Sequence, residues 1–245
     1  MDQHPLPSTP AADDFRDRTV VLTGVGRPGQ VGEVVAAAFA SRGATLVLID
    51  RDEKAVKERA SAVGSTAHGF ACDLTDPVAT EAVARKVASL SPSGVNAVVH
   101  MAGGYVEGAP VADTDPATWH KLIAINLTTA FVATRAFVPL VRQARGTMVY
   151  FASSAALPGA PVANASAYAT AKGGVVTLMR AVAAEEKKAG VRANALAPQA
   201  IRTDTNLASM GEDKQYVERE TIAAWVLWLA SAASGPISGQ VIRLG

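Results

Sequence analysis

The sequence has little cysteine, few aromatic residues and almost no net charge. Cys72 is the only cysteine among 245 residues, which excludes an internal disulfide bond and a cysteine-based metal cluster, and no metal site is predicted. The 23 Lys and Arg residues nearly balance the 22 Asp and Glu residues and are scattered, so the composition favours neither a nucleic-acid partner nor an anionic membrane. No apolar run reaches a membrane-spanning length, and no apolar segment typical of a secretory signal lies near the N-terminus. We therefore expect a cytoplasmic protein with a small-molecule ligand.

The remaining composition predicts one folded domain. Apolar residues make up 49% of the chain and charged residues 18%, which is enough material for one large core. Residues 1–17 contain three prolines and no periodic pattern, so we expect a mobile tail there. The predicted domain covers residues 18–245.

Strand-like and helix-like segments alternate along this domain. The predicted strands cover residues 18–23, 45–49, 68–72, 95–100, 147–152, 191–196 and 240–244. The predicted helices cover residues 34–40, 52–62, 77–90, 117–144, 166–189 and 219–230. Such alternation indicates an α/β fold: a single-domain, Rossmann-type, doubly wound parallel sheet of about seven strands with helices on both faces. Ligands bind such sheets beyond the carboxyl ends of the strands.

A glycine-rich turn follows the first predicted strand. It contains Gly24, Gly26, Gly29 and Gly32 and leads directly into a helix. Glycines allow backbone N–H groups to approach a pyrophosphate, and the helix N-terminus adds partial positive charge. The turn therefore predicts dinucleotide binding, with a plain flexible turn as the alternative.

Acidic residues end the second and third predicted strands. A carboxylate at Asp50 is placed to accept hydrogen bonds from ribose hydroxyls and to repel a 2′-phosphate, which favours NAD(H). Arg51 is a possible partner for a 2′-phosphate, so NADP(H) stays open. Asp73 is placed either to bind the adenine amino group or to cap the next helix.

Tyr168 and Lys172 lie four residues apart in a predicted helix, so their side chains share one face. A nearby ammonium favours the phenolate, and we expect Lys172 to lower the pKa of Tyr168. The pair is then able to exchange a proton with a ligand oxygen near neutral pH. The alternative is an ordinary amphipathic helix.

With these residues the chain resembles the short-chain dehydrogenase/reductase family from Arg18 to Gly245. Tyr168 and Lys172 resemble the Tyr-x-x-x-Lys of the family, Asn126 its helix asparagine, and Ser153-Ser154 the segment with its catalytic serine. Residues 102–103 resemble its Asn-Asn-Ala-Gly turn, and residues 192–198 its sixth-strand segment.

The resemblance implies roles for these residues. Tyr168 would be the general acid or base, Lys172 would lower its pKa and bind the nicotinamide ribose, and Ser154 would hold the substrate oxygen. Asn126 would connect Lys172 to solvent through a water. The implied cofactor contacts come from Gly24, Gly26, Gly29, Val31, Gly32, Asp50, Arg51, Asp73, Leu74, Ala102, Gly103, Tyr168, Lys172, Pro198, Ile201 and Thr203. Alternatively, Ser154 ends a strand, Asn126 bridges two elements and Thr203 caps a helix.

The sequence departs from the family pattern in several places. The glycine turn is two residues longer than usual, and His100-Met101 replaces the usual Asn-Asn. We expect His100 to be a satisfied core residue rather than a proton relay. Ser154 precedes Tyr168 by 14 residues, one more than is common, which leaves Ser153 as the alternative. The expected lid, residues 203–217, is short and resembles that of the dihydropteridine-reductase-like branch.

We therefore predict an NAD(H)-dependent oxidoreductase that interconverts a small ketone or 3-oxoacyl-type carbonyl and a secondary alcohol. The alternatives are a dihydropteridine- or quinone-type reductase and a non-catalytic dinucleotide sensor. The resemblance also implies a homo-oligomer, either a tetramer or a dimer.

Overall fold

Seven parallel strands form the sheet that the sequence predicts. The computed structural model of the protein describes residues 15–245. The strands are β1 (Thr19–Thr23), β2 (Thr45–Asp50), β3 (Ala67–Ala71), β4 (Ala97–His100), β5 (Thr147–Phe151), β6 (Arg192–Pro198) and β7 (Val241–Leu244). Their order in the sheet is β3-β2-β1-β4-β5-β6-β7. The order reverses beside β1, so the loops after β1 and β4 diverge there and leave a crevice for a ligand.

Helices cover both faces of this sheet. They are α1 (Val31–Ala40), α2 (Glu53–Val63), α3 (Pro77–Leu90), α4 (Pro116–Ile123), α5 (Thr129–Ala144), α6 (Ser166–Glu185), α7 (Asp204–Met210) and α8 (Arg219–Ala230). One core cluster joins alternate strand residues to α1, α2 and α8, and the other joins the remaining strand residues to α3, α5 and α6. Because both faces are covered, β1 is buried at every position.

The folded domain begins before the predicted boundary at Arg18. Phe15 is fully buried and meets Phe39 of α1 edge-to-face, with the ring centroids 4.8 Å apart. Residues 15–17 therefore belong to the domain, because the aromatic contact removes Phe15 from water. The rest of the predicted tail, residues 1–14, lies outside the described residues.

The predicted helix over residues 117–144 is one helical run with an irregular turn inside it. A π-helical turn, Ala124–Thr128, connects α4 to α5. The helical run Pro116–Ala144 is long and apolar enough to cross a membrane, whereas the sequence analysis found no apolar run of that length. This is weak support for a membrane span, since core helices of globular proteins pass the same test.

His100 is a buried core residue, as predicted. Its ring lies against Tyr150 of β5, with the centroids 4.8 Å apart, and Thr134 Oγ1 is 3.5 Å from its Nε2. Thr134 also hydrogen-bonds the Tyr150 phenol at 2.9 Å. Burial lowers the pKa of His100 from 6.5 to about 3, so this histidine is neutral in the folded protein.

We expect His100 to make the fold sensitive to acid. Between about pH 6.5 and pH 3 the unfolded chain binds a proton at His100 that the folded chain does not bind, so the free energy of unfolding falls as the pH falls through this window. His100→Asn removes the group that binds this proton. Urea unfolding at pH 7 and pH 5 will show that the free energy of unfolding falls less between these pH values in the variant than in the wild type, by about 2 kcal/mol. Equal losses would contradict a neutral, buried His100.

Candidate active site

The predicted site residues gather at the carboxyl edge of the sheet. The glycine turn follows β1, Asp50 ends β2, Ala102 and Gly103 follow β4, and Pro198 ends β6. Helix α6 crosses behind the end of β5 and presents Tyr168 and Lys172 to the same edge. The parallel order of the strands thus brings residues from distant parts of the sequence into one crevice.

Lys172 is a buried amine. Its Nζ donates to the Phe151 carbonyl at the end of β5 at 2.8 Å, and it lies 5.9 Å from the centroid of the Tyr168 ring. Burial lowers the pKa of Lys172 to about 8. At neutral pH most of the amine is therefore still charged, and it is held next to the phenol as the spacing predicts.

The pKa of Tyr168 is raised, whereas we expected it to be lowered. Burial raises it, the hydrogen bond with the Ser153 side chain lowers it, and the nearby Tyr105 phenol raises it. The expected lowering by Lys172 is wrong for this structure, because removal of the phenolate from water outweighs the favourable groups. Near neutral pH Tyr168 is a protonated phenol, which is a hydrogen-bond donor.

Ser153, and not Ser154, is the serine that reaches Tyr168. Ser153 is buried directly beyond β5, and its side chain is close enough to the phenol to lower the pKa of Tyr168. Its hydroxyl also accepts from the Ala155 N–H at 3.2 Å. Ser154 begins a short 3₁₀ helix and is only half-buried. The structure thus brings the alternative, Ser153, closer to Tyr168 than Ser154, and the role of either serine stays a prediction.

Asn126 lies in the π-helical turn and binds the loop after β4. Its amide nitrogen donates to the carbonyls of Gly104 at 2.9 Å and Leu122 at 3.0 Å, and its Oδ1 accepts from the Gly104 N–H at 3.2 Å. A Cβ on Gly103 would lie 2.6 Å from Asn126 Oδ1 and 3.3 Å from Lys172 Nζ. A larger residue at position 103 would require the ends of these two side chains to move. Asn126 therefore joins the π-helical turn to the loop after β4, close to Lys172.

The glycine turn fits an anionic ligand. A Cβ on Gly24 would lie 2.7 Å from Ala102 Cα, and one on Gly32 would lie 2.7 Å from Val25 Cα, so both glycines permit close backbone packing. Gln30 precedes α1 and its side chain makes no capping hydrogen bond. The first N–H groups of α1, including those of Val31 and Gly32, therefore remain oriented toward a ligand such as a pyrophosphate.

The acidic residues at the strand ends have different partners. Asp50 Oδ2 accepts from the Gly26 N–H at 2.8 Å and Oδ1 from the Asp52 N–H at 3.2 Å, so this carboxylate is fixed beside the turn. Asp73 Oδ1 instead accepts from the N–H and hydroxyl of Thr75, and these bonds lower the pKa of Asp73. Arg51 is exposed nearby. Leu74 is buried in the core.

Two residues that our sequence reading missed support the turn. Glu33 accepts from the Gly29 N–H at 2.8 Å, and its other oxygen lies 3.0 Å from Arg59 Nη1. Arg59 also donates to the Val25 carbonyl at 3.3 Å. The bond from Gly29 is the largest cause that lowers the pKa of Glu33. An acidic residue in the first turn of α1 is a recognisable signal, whereas Arg59 of α2 has none in the local sequence.

The short lid contacts the glycine turn directly. Thr203 is buried and caps α7 by accepting from the Asn206 N–H at 3.2 Å. Asp204 donates its N–H to the Gly29 carbonyl at 3.2 Å. Ile201 pairs with Val217 in an isolated parallel bridge, which closes the base of the lid. Residues 203–217 therefore form a compact loop held at its base and on the turn.

We expect Gly29→Ala to lower the free energy of unfolding by about 1–3 kcal/mol. Gly29 has φ +66°, and a Cβ there would lie 1.8 Å from Asp204 Oδ2. Gly159→Ala is the matched control, because φ is +78° and nothing lies within 4 Å of its Cβ position. Urea unfolding should show a smaller decrease in the free energy of unfolding for Gly159→Ala. Adding Asp204→Ala to Gly29→Ala should restore part of the free energy that Gly29→Ala loses. If Gly29→Ala costs the same free energy with and without the Asp204 side chain, the predicted clash between the added Cβ and Asp204 is refuted.

Comparison with known proteins places this geometry in a family. A family model described as Enoyl-(Acyl carrier protein) reductase matches residues 24–244. The chain is 33% identical over 237 residues to galactitol 2-dehydrogenase (L-tagatose-forming) of Cereibacter sphaeroides, covering 91% of each chain. It is 30% identical to meso-2,3-butanediol dehydrogenase of Serratia marcescens, covering 93% of each chain.

Solved structures agree with this assignment. A short chain dehydrogenase from Escherichia coli CFT073 complexed with NADPH has a TM-score of 0.86 at 25% identity, covering 96% of this chain and 99% of that one. A 3-oxoacyl-[acyl-carrier protein] reductase from Brucella melitensis with bound NAD has a TM-score of 0.80 at 26% identity, covering 94% of this chain and 90% of that one. The chain belongs to the short-chain dehydrogenase/reductase family and is an oxidoreductase that acts on carbonyl and alcohol groups.

Proposed function

We propose that this protein interconverts a small secondary alcohol and the corresponding ketone, with NAD(H) as its preferred cofactor. The observation that carries the proposal is the arrangement of Tyr168, Ser153 and Lys172 at one strand end. The relatives that are named for oxidation of polyols and diols support a hydroxylated, non-aromatic substrate. For that reason the pterin or quinone reductase and the non-catalytic sensor rank behind an alcohol dehydrogenase.

Tyr168 moves the proton in this proposal. A phenol with a raised pKa is protonated at neutral pH and donates its proton to a carbonyl oxygen during reduction. In the reverse direction the phenolate accepts the proton of the alcohol, so oxidation is favoured at higher pH. Ser153 lies close to the same phenol, and its hydroxyl would hold the substrate oxygen beside Tyr168.

Lys172 and Asn126 position and support this proton donor. Lys172 is held by the Phe151 carbonyl at 2.8 Å, so its charge stays next to the phenol and stabilises the phenolate that forms when the proton leaves. Asn126 holds the Gly104 backbone and thereby the loop against which Lys172 rests. The nicotinamide cofactor, when bound, supplies or accepts the hydride.

The residues proposed to hold the cofactor divide into three groups. The N-terminus of α1, with Val31 and Gly32, would bind the pyrophosphate. Asp50 would accept hydrogen bonds from the adenosine ribose. Ala102 and Gly103 follow β4, Pro198 ends β6 and Thr203 caps α7, and together with Ile201 they would line the nicotinamide half.

Adjacent serines provide a matched test of catalysis. We expect Ser153→Ala to lower kcat by about 10²–10³-fold, because the variant loses the group that holds the substrate oxygen. Ser154→Ala, one residue away, should leave kcat within a few-fold of the wild type. Steady-state reduction of acetoin (3-hydroxy-2-butanone) with NADH will measure both, with Tyr168→Phe as the variant that loses turnover. A larger loss in Ser154→Ala than in Ser153→Ala would reverse the assignment.

Cofactor preference is measured by equilibrium binding. We expect NADH to bind more tightly than NADPH, because the Asp50 carboxylate repels a 2′-phosphate. Asp50→Ala should weaken NADH binding and narrow the difference between the two cofactors. Arg51→Ala is the neighbouring control and should leave the preference for NADH in place. Nicotinamide fluorescence titration will report the affinities of all three proteins for both cofactors, and tighter binding of NADPH by the wild type would show that Arg51 outweighs Asp50.

A further inference from the structure

An exposed aromatic ring lies directly beside the proposed proton donor. Tyr105, on the loop after β4, is 60% exposed. Its ring meets the Tyr168 ring edge-to-face, with centroids 5.2 Å apart and an interplanar angle of 89°. This arrangement is favourable because the positive edge of one ring faces the negative face of the other. The mechanism described above makes no use of the Tyr105 phenol.

The Tyr105 backbone is held in place by the residue before it. Gly104 exchanges two hydrogen bonds with the Asn126 side chain, at 2.9 and 3.2 Å. Gly103 lies against the ends of the Asn126 and Lys172 side chains. The backbone of the loop is therefore fixed immediately before Tyr105.

The position of the ring limits what reaches Tyr168. A substrate oxygen must come within about 2.6–3.2 Å of the Tyr168 hydroxyl for proton transfer. The Tyr105 ring is in contact with the Tyr168 ring, so we expect a substrate that reaches the Tyr168 hydroxyl to lie beside Tyr105. Tyr105 also raises the pKa of Tyr168, in agreement with the closeness of the two rings.

We propose that Tyr105 is a specificity-determining residue that hydrogen-bonds the hydroxyl next to the reacting carbon, so that the substrates are vicinal diols and the α-hydroxy ketones formed from them. Two phenols whose rings are in edge-to-face contact offer two hydroxyls to two oxygens on adjacent carbons. Tyr168 takes the oxygen that reacts, and Tyr105 takes its neighbour. The ring itself supplies an apolar wall for the short carbon chain. This inference rests on the proposed function and adds the class of substrate to it.

The test compares two ketones that differ in one hydroxyl. Wild type and Tyr105→Phe are assayed with NADH on 3-hydroxy-2-butanone and on 2-butanone. We expect the wild type to prefer the hydroxy ketone, and Tyr105→Phe to reduce this preference in kcat/KM by about tenfold, through KM. Tyr216→Phe is the matched control: its phenol donates to the Gly211 carbonyl at 2.6 Å, within the lid. It should leave the ratio unchanged.

A binding measurement without turnover accompanies the kinetics. Pinacol carries two adjacent hydroxyls on carbons that cannot be oxidised, and tert-butanol carries one. Changes in NADH fluorescence of the enzyme–NADH complex will report their binding. We expect pinacol to bind about tenfold more weakly to Tyr105→Phe than to the wild type, with tert-butanol and NADH itself unaffected.

The possible outcomes separate this inference from the proposed function. If both ketones are reduced and their ratio is the same in wild type and Tyr105→Phe, Tyr105 does not recognise the neighbouring hydroxyl and the inference is wrong. A similar change of the ratio in Tyr216→Phe would likewise overturn it. If the wild type binds NADH but reduces neither ketone, or binds no NADH, the proposed function fails first and the inference fails with it.

Discussion

The buried hydrogen bond from Lys172 to the Phe151 carbonyl connects every part of the site. It joins α6 to the end of β5 at 2.8 Å and places an amine where water is excluded. A buried amine needs such a partner, because an unpaired charge in the interior is costly. With Lys172 fixed there, Tyr168 on the preceding turn of α6 faces the strand end and meets Ser153.

Packing at the glycines extends this arrangement to the cofactor crevice. Gly103 allows the loop after β4 to touch both Lys172 and Asn126, and Gly24 allows the turn after β1 to touch Ala102 of the same loop. The proposed catalytic group and the proposed pyrophosphate turn are therefore joined through one segment of four residues, 101–104. A displacement of this segment would alter both ends of the crevice together, since Gly24 packs against the Ala102 backbone and Gly103 against the ends of the Asn126 and Lys172 side chains.

Local patterns were sufficient to predict the fold and to identify side chains that the fold brings to one edge of the sheet. Alternating apolar runs and helical periodicity indicated the seven strands, and helix α8 agrees with its predicted range at both ends. Three features depended on information that local patterns lack. The choice between Ser153 and Ser154 depends on where β5 stops, the pKa of Tyr168 on burial by distant residues, and the support of the turn on Arg59, 34 residues after Val25.

The π-helical turn at Asn126 has a consequence for the surface of the long helical run. A π turn holds one more residue than an α turn, so the side chains after it are rotated by about 100° relative to a continuous α-helix. The outward stripe of α4 therefore does not continue into α5 as one straight line. Trp119 and Phe131, both partly exposed, lie on opposite sides of this break. Any alignment or redesign of this helix must treat its two halves as separate registers.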